Sequence, residues 1–260
     1  LPLSRRQFLR IAGLSLAVPA TRAASPPTSF RFAIVSDIHC RDQRCHPWLR
    51  KLTSSIRSQL VDFCILNGDL ADDGQPDQLT AVKSAFGALG VPIHATVGNH
   101  DYDSTNTHTA FDRVFPGCVN SWFEHKGWQF VVADSTDDNQ VFWTNIQPRT
   151  FAWLDAMLPK LDRTRPTVLC THFPLGSLVL CRPLNAGDLL DRFETFNLRA
   201  TFSGHWHGYA ERHFDHASVT NSRCASWWRT NHDGSPEKGY FLCDATAAGE
   251  LRHQFCVVPV

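Results

Sequence analysis

The chain has 260 residues, 43% of them hydrophobic, with 25 Lys+Arg against 25 Asp+Glu, 13 His and 9 Cys. That apolar content excludes an intrinsically disordered chain, and the length suits one large α/β domain. A formal net charge of zero excludes the strongly basic footprint of a sequence-independent DNA binder.

In chain order, residues 1–24 carry Arg5, Arg6, Arg10 and Arg22 and no acid, which leaves 21 basic against 25 acidic residues beyond them. Ser4-Arg5-Arg6-Gln7-Phe8-Leu9-Arg10, an apolar run over 11–20 and small residues up to Ala24 resemble a twin-arginine export signal. The expectation is a signal peptide over 1–24, a linker over 25–30 and one domain over 31–260, with a β-rich tail (209–260) packed on it. The apolar run is too short to span a bilayer, so no transmembrane segment is expected. The signal implies the twin-arginine export machinery as a partner and a periplasmic or extracellular location. The alternative is a membrane tether through an uncleaved signal.

Residues 31–35 read as a strand ending at Ser36-Asp37. Residues 47–60 place Trp48, Leu52, Ile56 and Leu60 at four-residue spacing, an amphipathic helix. A buried strand over 61–66 ends at Asn67-Gly68-Asp69. A helix over 75–89 has Pro76 near its start and Gly90 at its end. A third strand over 93–97 ends at Gly98-Asn99-His100-Asp101. Residues 121–124 and 128–133 read as paired strands around Lys126-Gly127, and 147–161 as a helix. Strands over 167–170 and 198–202 end at Thr171-His172 and Ser203-Gly204-His205, and 209–258 reads as mostly β. The fold class is α/β: a four-layer αββα sandwich of two mixed β-sheets flanked by helices.

Five strings share one property: Asp37-Ile38-His39, Gly68-Asp69, Gly98-Asn99-His100-Asp101, Thr171-His172 and Gly204-His205-Trp206-His207 each follow a predicted strand. That edge of an open α/β sheet is where ligands bind, because its loops converge. On extended backbone Asp37 and His39 point the same way, as do His205 and His207. Each string alone is an ordinary turn. Five in this order, all at strand ends, point to a dimetal site.

The pattern over about 32–208 resembles that of the calcineurin-like metallophosphoesterases. The resemblance implies Asp37, His39 and His207 on one metal, Asn99, His172 and His205 on a second, and Asp69 bridging them. It makes His100 the catalytic histidine near the leaving group, with Asp101 orienting it. It implies two divalent or mixed-valence transition metal ions, most simply Mn, Fe or Zn, and a phosphoester substrate attacked by a metal-bridging hydroxide. Two divalent ions outweigh two carboxylates, and neutral His and Asn ligands leave that excess free to attract a phosphate. Mixed imidazole and carboxylate ligands favour transition metals over Ca or an all-oxygen Mg site.

Departures narrow the resemblance. Asp72 stands where purple acid phosphatases carry a Tyr ligand, and the string from Gly68 to Gly74 lacks the G-D-x-V-D-R-G of Ser/Thr protein phosphatases. The chain is more similar to bacterial cyclic-nucleotide and glycerophosphodiester phosphodiesterases. Phosphodiester hydrolysis is therefore the expected reaction, and phosphomonoester hydrolysis at the same dimetal site the alternative. A non-catalytic binding scaffold is a third reading, opposed by seven intact ligand positions. The acidic balance beyond residue 24 argues against stable nucleic-acid binding. The oligomeric state is left open.

Outside the pattern, Arg182 and Asn185 read as a solvated loop, with a reach to a phosphate as the alternative, and Trp227-Trp228-Arg229 as sheet packing, with an aromatic wall for a base or an acyl chain as the alternative. His213 and His216 read as decoration of a β-turn. His46, His94, His108, His125, His232 and His253 fit no ligand pattern. No C-x-x-C occurs. Cys64 and Cys170 read as buried small hydrophobes, and one disulfide is expected among Cys40, Cys45, Cys181 and Cys224.

Overall fold

A computed structural model describes residues 28–260 except 178, 215 and 216. The expected signal and most of the expected linker lie outside these residues, as does His216. The sheet begins at Phe30, the last residue of that linker, and Thr28 N–H donates to the Lys126 carbonyl at 3.1 Å.

The strands are β1 (Phe30–Val35), β2 (Phe63–Asn67), β3 (Ile93–Thr96), β4 (Ser121–His125), β5 (Trp128–Ala133), β6 (Thr167–Thr171), β7 (Leu198–Ser203), β8 (Ala210–Phe214), β9 (Ala217–Asn221), β10 (Gly239–Ala245) and β11 (Leu251–Val257). The helices are α1 (Cys45–Ser58), α2 (Pro76–Gly87), α3 (Thr109–Val114), α4 (Pro148–Met157) and α5 (Ala186–Asp191). One sheet runs β11-β10-β1-β2-β3, and the other β4-β5-β6-β7-β9-β8. Both are mixed: β1-β2-β3 and β5-β6-β7-β9 are parallel, and the remaining neighbours antiparallel.

Strand period two builds the layers. Along β1 and β2, Phe32, Ile34, Phe63 and Ile65 face the second sheet and meet Trp128, Phe130, Val168 and Phe202. Their alternates Ala33, Val35, Cys64 and Leu66 face the helices and meet Leu52 and Ile56 of α1 and Leu79 and Val82 of α2. On the far side, Val131 and Leu169 pack with Leu154 of α4 and Leu189 of α5. This is the expected four-layer αββα sandwich. The aromatic seam between the sheets centres on Phe63, stacked on Phe32 at 5.0 Å and edge-on to Phe130 at 5.0 Å.

Several boundaries differ from expectation for local reasons. α1 starts two residues before Pro47, since a first-turn proline needs no N–H partner. It stops before Leu60, which takes the left-handed φ of +53° that usually calls for glycine. The helix expected to reach residue 161 stops at Met157. Pro159 lacks the next N–H, and the chain continues as a 3₁₀ turn over Leu158–Lys160. α3 and α5 are single six-residue pieces, too short for a periodicity to register. The tail is not mostly β: residues 222–238 form an irregular loop between β9 and β10. No described helix is long and apolar enough to cross a membrane.

Phe63 is 1% exposed at the centre of the seam, whereas Leu60, three residues earlier, is 85% exposed. Phe63→Ala should lower unfolding stability by about 3–5 kcal/mol, and Leu60→Ala by less than about 0.5 kcal/mol. Urea denaturation followed by Trp fluorescence checks both, and equal effects would contradict this account of the core.

Candidate metal centre

Five parallel strands from the two sheets deliver the site at one edge. β1 leads to Asp37 and His39, β2 to Asp69, β3 to Asn99, His100 and Asp101, β6 to His172, and β7 to His205 and His207. Asn67, the last residue of β2, fastens the sheets together there. Its amide donates to the carbonyls of Thr171 at 2.8 Å and Phe202 at 3.3 Å, one on each of β6 and β7.

All seven expected ligands are brought together and buried. Asp37, His39, Asp69 and His207 converge as one group, with ligand atoms within 4.8 Å of one another, and Asp69, His172 and His205 as a second. Asp69 belongs to both groups. Its Oδ2 lies 3.5 Å from His39 Nε2, and its Oδ1 3.2 Å from His172 Nε2. His39 Nε2 and His207 Nε2 face each other at 3.1 Å, and His207 Nε2 is 3.4 Å from Asp37 Oδ1. The Asn99 side-chain oxygen sits 3.2 Å from His172 Nε2 and 2.9 Å from His205 Nδ1.

The chain departs from the extended backbone expected at Asp37, His39, His205 and His207. These residues are not extended: their φ values are +58°, +47°, +63° and +45°, and Asp69 has +51°. Such values are uncommon for residues other than glycine and cluster where structure enforces a function. The pairs still share a direction, through repeated left-handed turns rather than a pleat. Space is equally constrained. A Cβ on Gly98 would lie 2.2 Å from the Asp69 amide nitrogen, and one on Gly204 2.3 Å from Asp37 Oδ2. Each of these glycines makes room for a carboxylate from another strand.

The donor chemistry fits two metal ions. Asp37 Oδ2 is buried with no hydrogen-bond partner, a costly arrangement for a carboxylate unless a cation serves it. Burial brings His39 down to about 4, and burial with the neighbouring His172 brings His205 to about 3, so both rings are neutral donors. Burial also disfavours charge on His172 and His207, but Asp69 and Asp37 respectively outweigh it and raise them to about 9 and about 10. Metal binding at those nitrogens must displace protons.

Asp101 does not orient the His100 ring. Its Oδ1 accepts the amides of Leu70 and Ala71 at 2.9 and 2.8 Å, and its Oδ2 that of Gly98 at 2.9 Å. It braces the two loops that flank Asp69, and burial and Asp69 raise its carboxyl to about 7. The His100 ring is held instead by Asp72, whose carbonyl accepts from Nδ1 at 2.7 Å. The Asp72 side chain reaches to 3.4 Å from His39 Nδ1 and accepts from Arg229 Nη2 at 2.5 Å.

Asp72 and Arg229 join the site from outside the expected ligand and catalytic set. Trp228 and Arg229 are not sheet packing: they lie in the 222–238 loop beside the site. Trp228 Nε1–H donates to the His39 carbonyl at 3.0 Å, and the Arg229 guanidinium lies over the Trp228 ring at 4.6 Å. Buried Lys238 secures this loop by donating to the Arg229 carbonyl at 2.6 Å. His232 also lines the cavity over the site. Arg182 and Asn185 are half-buried braces, not a solvated loop. Arg182 Nε donates to the Leu175 carbonyl, and Asn185 bonds both backbone groups of Ile146. Cys64 and Cys170 are buried as expected. The disulfide joins Cys40 to Cys45, directly after His39, with Cα atoms 5.8 Å apart.

A family model described as calcineurin-like phosphoesterase matches residues 30–209. The chain belongs to that family. It is 26% identical over 160 residues to a "Probable cyclic nucleotide phosphodiesterase" of Synechococcus sp., covering 59% of this chain and 60% of that protein. It is 28% identical over 127 residues to a 3',5'-cyclic-nucleotide phosphodiesterase of Nostoc sp., covering 48% of this chain and 45% of that one. The match thus spans less than two thirds of either relative. A dimetal phosphatase from Danio rerio shares the fold with a TM-score of 0.62 at 14% identity, over 87% of this chain and 98% of the other.

Gly98→Ala should cost both metals, because no rearrangement of a backbone amide is cheap at that contact. Asp72→Asn should leave the fold intact and weaken metal retention about 10- to 100-fold, the usual effect of loosening a ligand's outer partner. Elemental analysis after dialysis against a graded chelator measures both, and full metal retention in Gly98→Ala would contradict the packing argument.

Proposed function

We propose that the chain hydrolyses phosphodiesters at a dinuclear metal centre held by Asp37, His39, Asp69, Asn99, His172, His205 and His207. The observation that carries this reading is Asp69, a buried carboxylate with one oxygen directed to each of two imidazole-rich groups. When bound, two transition metal ions supply Lewis acidity toward the phosphoryl oxygens and lower the pKa of coordinated water.

The protein's own residues do the rest. His100 borders the cavity beside the centre and packs edge-on to His39 at 4.7 Å. Its Nδ1 is committed to the Asp72 carbonyl, which leaves Nε2 to deliver a proton to the departing ester oxygen. Asp72 is thus a positioning residue for His100 and His39 together. Arg229 borders the same cavity and offers its guanidinium to the phosphoryl group.

Two features favour a diester over a monoester. The charge of Arg229 is largely matched by Asp72 at 2.5 Å, so the chain adds little positive charge for a dianionic monoester. A cavity of about 440 Å³ adjoins the centre and gives a second ester arm somewhere to lie. Both named relatives are described as cyclic-nucleotide phosphodiesterases, which supports the same choice. Export follows as a further part of the proposal. The arginine pair in residues 1–24 suits a route that carries proteins already folded, with their metals in place.

Metal-loaded protein should hydrolyse bis-p-nitrophenyl phosphate with Mn(II) and prefer it to p-nitrophenyl phosphate. Asp69→Asn should lose metal and activity together. His100→Ala should keep its metals and lose about 10²- to 10⁴-fold in turnover of an alkyl-leaving diester, and less with the p-nitrophenolate leaving group, which needs no proton. A uniform loss across leaving groups would remove the general-acid role. Replacing Arg5 and Arg6 by Lys should hold the protein in the cytoplasmic fraction of a twin-arginine-competent bacterium. Unchanged fractionation would sink the export proposal.

A further inference from the structure

Five of the nine large apolar side chains exposed among the described residues lie on two loops at the mouth of the metal site: Val141, Phe142, Trp143, Leu180 and Leu184. The exposures are large, at 61% for Phe142, 84% for Trp143, 68% for Leu180 and 62% for Leu184. Scattered singly such residues need no explanation, but gathered beside a binding site they do. Val141, Phe142 and Leu180 line the same cavity as Asp69, His100 and Arg229. One wall is therefore apolar while the floor is ionic.

The two loops of this apolar crest are tied to each other and to the site. Leu184 N–H donates to the Thr144 carbonyl at 2.9 Å, and the Asn185 amide brackets both backbone groups of Ile146 at 2.8 and 3.0 Å, tying one loop to the other. The Val141 carbonyl accepts from His205 Nε2 at 3.1 Å, which fixes the first loop to the metal centre itself. Trp143 and Cys181 both hold left-handed backbone, at φ +57° and +63°. Backbone strain of this kind persists only where the surroundings enforce it. Here it accompanies large side chains held out toward solvent.

We propose that this crest is a subsite for an apolar ester arm, and that the substrate class is an amphiphilic phosphodiester. This rests on the phosphodiesterase reading above and deepens it. The phosphoryl group lies over the metal centre near Arg229 and His100, and an alkyl or acyl chain runs outward over Phe142 and Leu180 toward Trp143 and Leu184. A phosphodiester with only small polar arms would leave the apolar wall unused. An amphiphile matches both halves of the cavity.

The experiment compares p-nitrophenyl methyl phosphate with p-nitrophenyl octyl phosphate, both below the critical micelle concentration, on metal-loaded protein. Full burial of a methylene contributes about a fourfold gain, so a chain lying on a half-open crest should raise kcat/KM by about 10- to 100-fold from methyl to octyl. In Phe142→Ser/Leu180→Ser the octyl-to-methyl ratio should fall toward one, whatever happens to the methyl rate. Equal kcat/KM for the two diesters, or an octyl preference untouched by the double variant, would overturn the subsite. So would a gain seen only above the micellar threshold, which would mean a lipid surface rather than a single chain. A dimer that the double variant dissolves would give the crest to a second copy and equally overturn it.

Calorimetry separates this proposal from the one beneath it. Octylphosphonate should bind metal-loaded protein at least about tenfold more tightly than methylphosphonate. If neither diester is cleaved but that difference holds, the phosphodiesterase reading fails and the apolar subsite stands. Equal affinities with normal turnover would give the opposite result.

Discussion

Asp69 is a carboxylate with almost no access to water, and burying such a charge is expensive unless partners offset it. Its two oxygens divide the task. Oδ2 faces His39, while Oδ1 faces His172 and also accepts the His100 amide at 2.9 Å. The rest of the site is arranged around that division. His172 comes from the second sheet, so the carboxylate is satisfied only if the two sheets meet in one register. The Asn67 clamp onto Thr171 and Phe202 enforces that register one turn of chain away. The aromatic seam around Phe63 supplies the bulk attraction between the sheets, and the polar clamp sets their position.

Charge and space at this edge are handled by different residues. Asp101 neutralises backbone rather than side chains: three amides around Asp69 end on its carboxylate, which freezes the loops after β2 and β3 against each other. Asp72 spans the remaining gap, with its carbonyl on His100 and its carboxylate on Arg229. Burial alone would raise that carboxylate, but His39 and Arg229 hold it down to about 2. The loop bearing Arg229 is long and irregular, yet Lys238 and Trp228 pin it at the site.

What the sequence made legible follows from the range of each interaction. The sheets and long helices were readable because their cores are periodic: β1 alternates faces, and α1 repeats Trp48, Leu52 and Ile56. The ligand strings were readable because each sits within a few residues of a strand end. The family resemblance ordered them into two groups, and the same residues converge in space. Asp72 and Arg229 were not readable as a pair, because 157 residues separate them and neither string resembles a ligand motif. The family resemblance placed Asp101 on His100, whereas its Oδ1 turns back to the amides of Leu70 and Ala71 and its Oδ2 to that of Gly98. The left-handed turns at Asp37 and His39 were not read, because Asp and His tolerate positive φ better than most residues but adopt it in only a minority of positions. The apolar crest was missed because no period distinguishes exposed Phe142 and Trp143 from core residues.

The five left-handed ligand positions have a consequence for the lifetime of the protein. Each holds a backbone conformation that costs about 1–3 kcal/mol, so the loops after β1, β2 and β7 are loaded springs. Those same residues would hold the metal ions, and bound ions would act as the latch. A cation present at a hundred times its dissociation constant adds about 2.7 kcal/mol to the folded state, comparable to releasing one or two of those springs. Metal occupancy is thereby translated into durability. Without those ions the strained segments, although buried, are gathered at a single edge, and local unfolding would begin there.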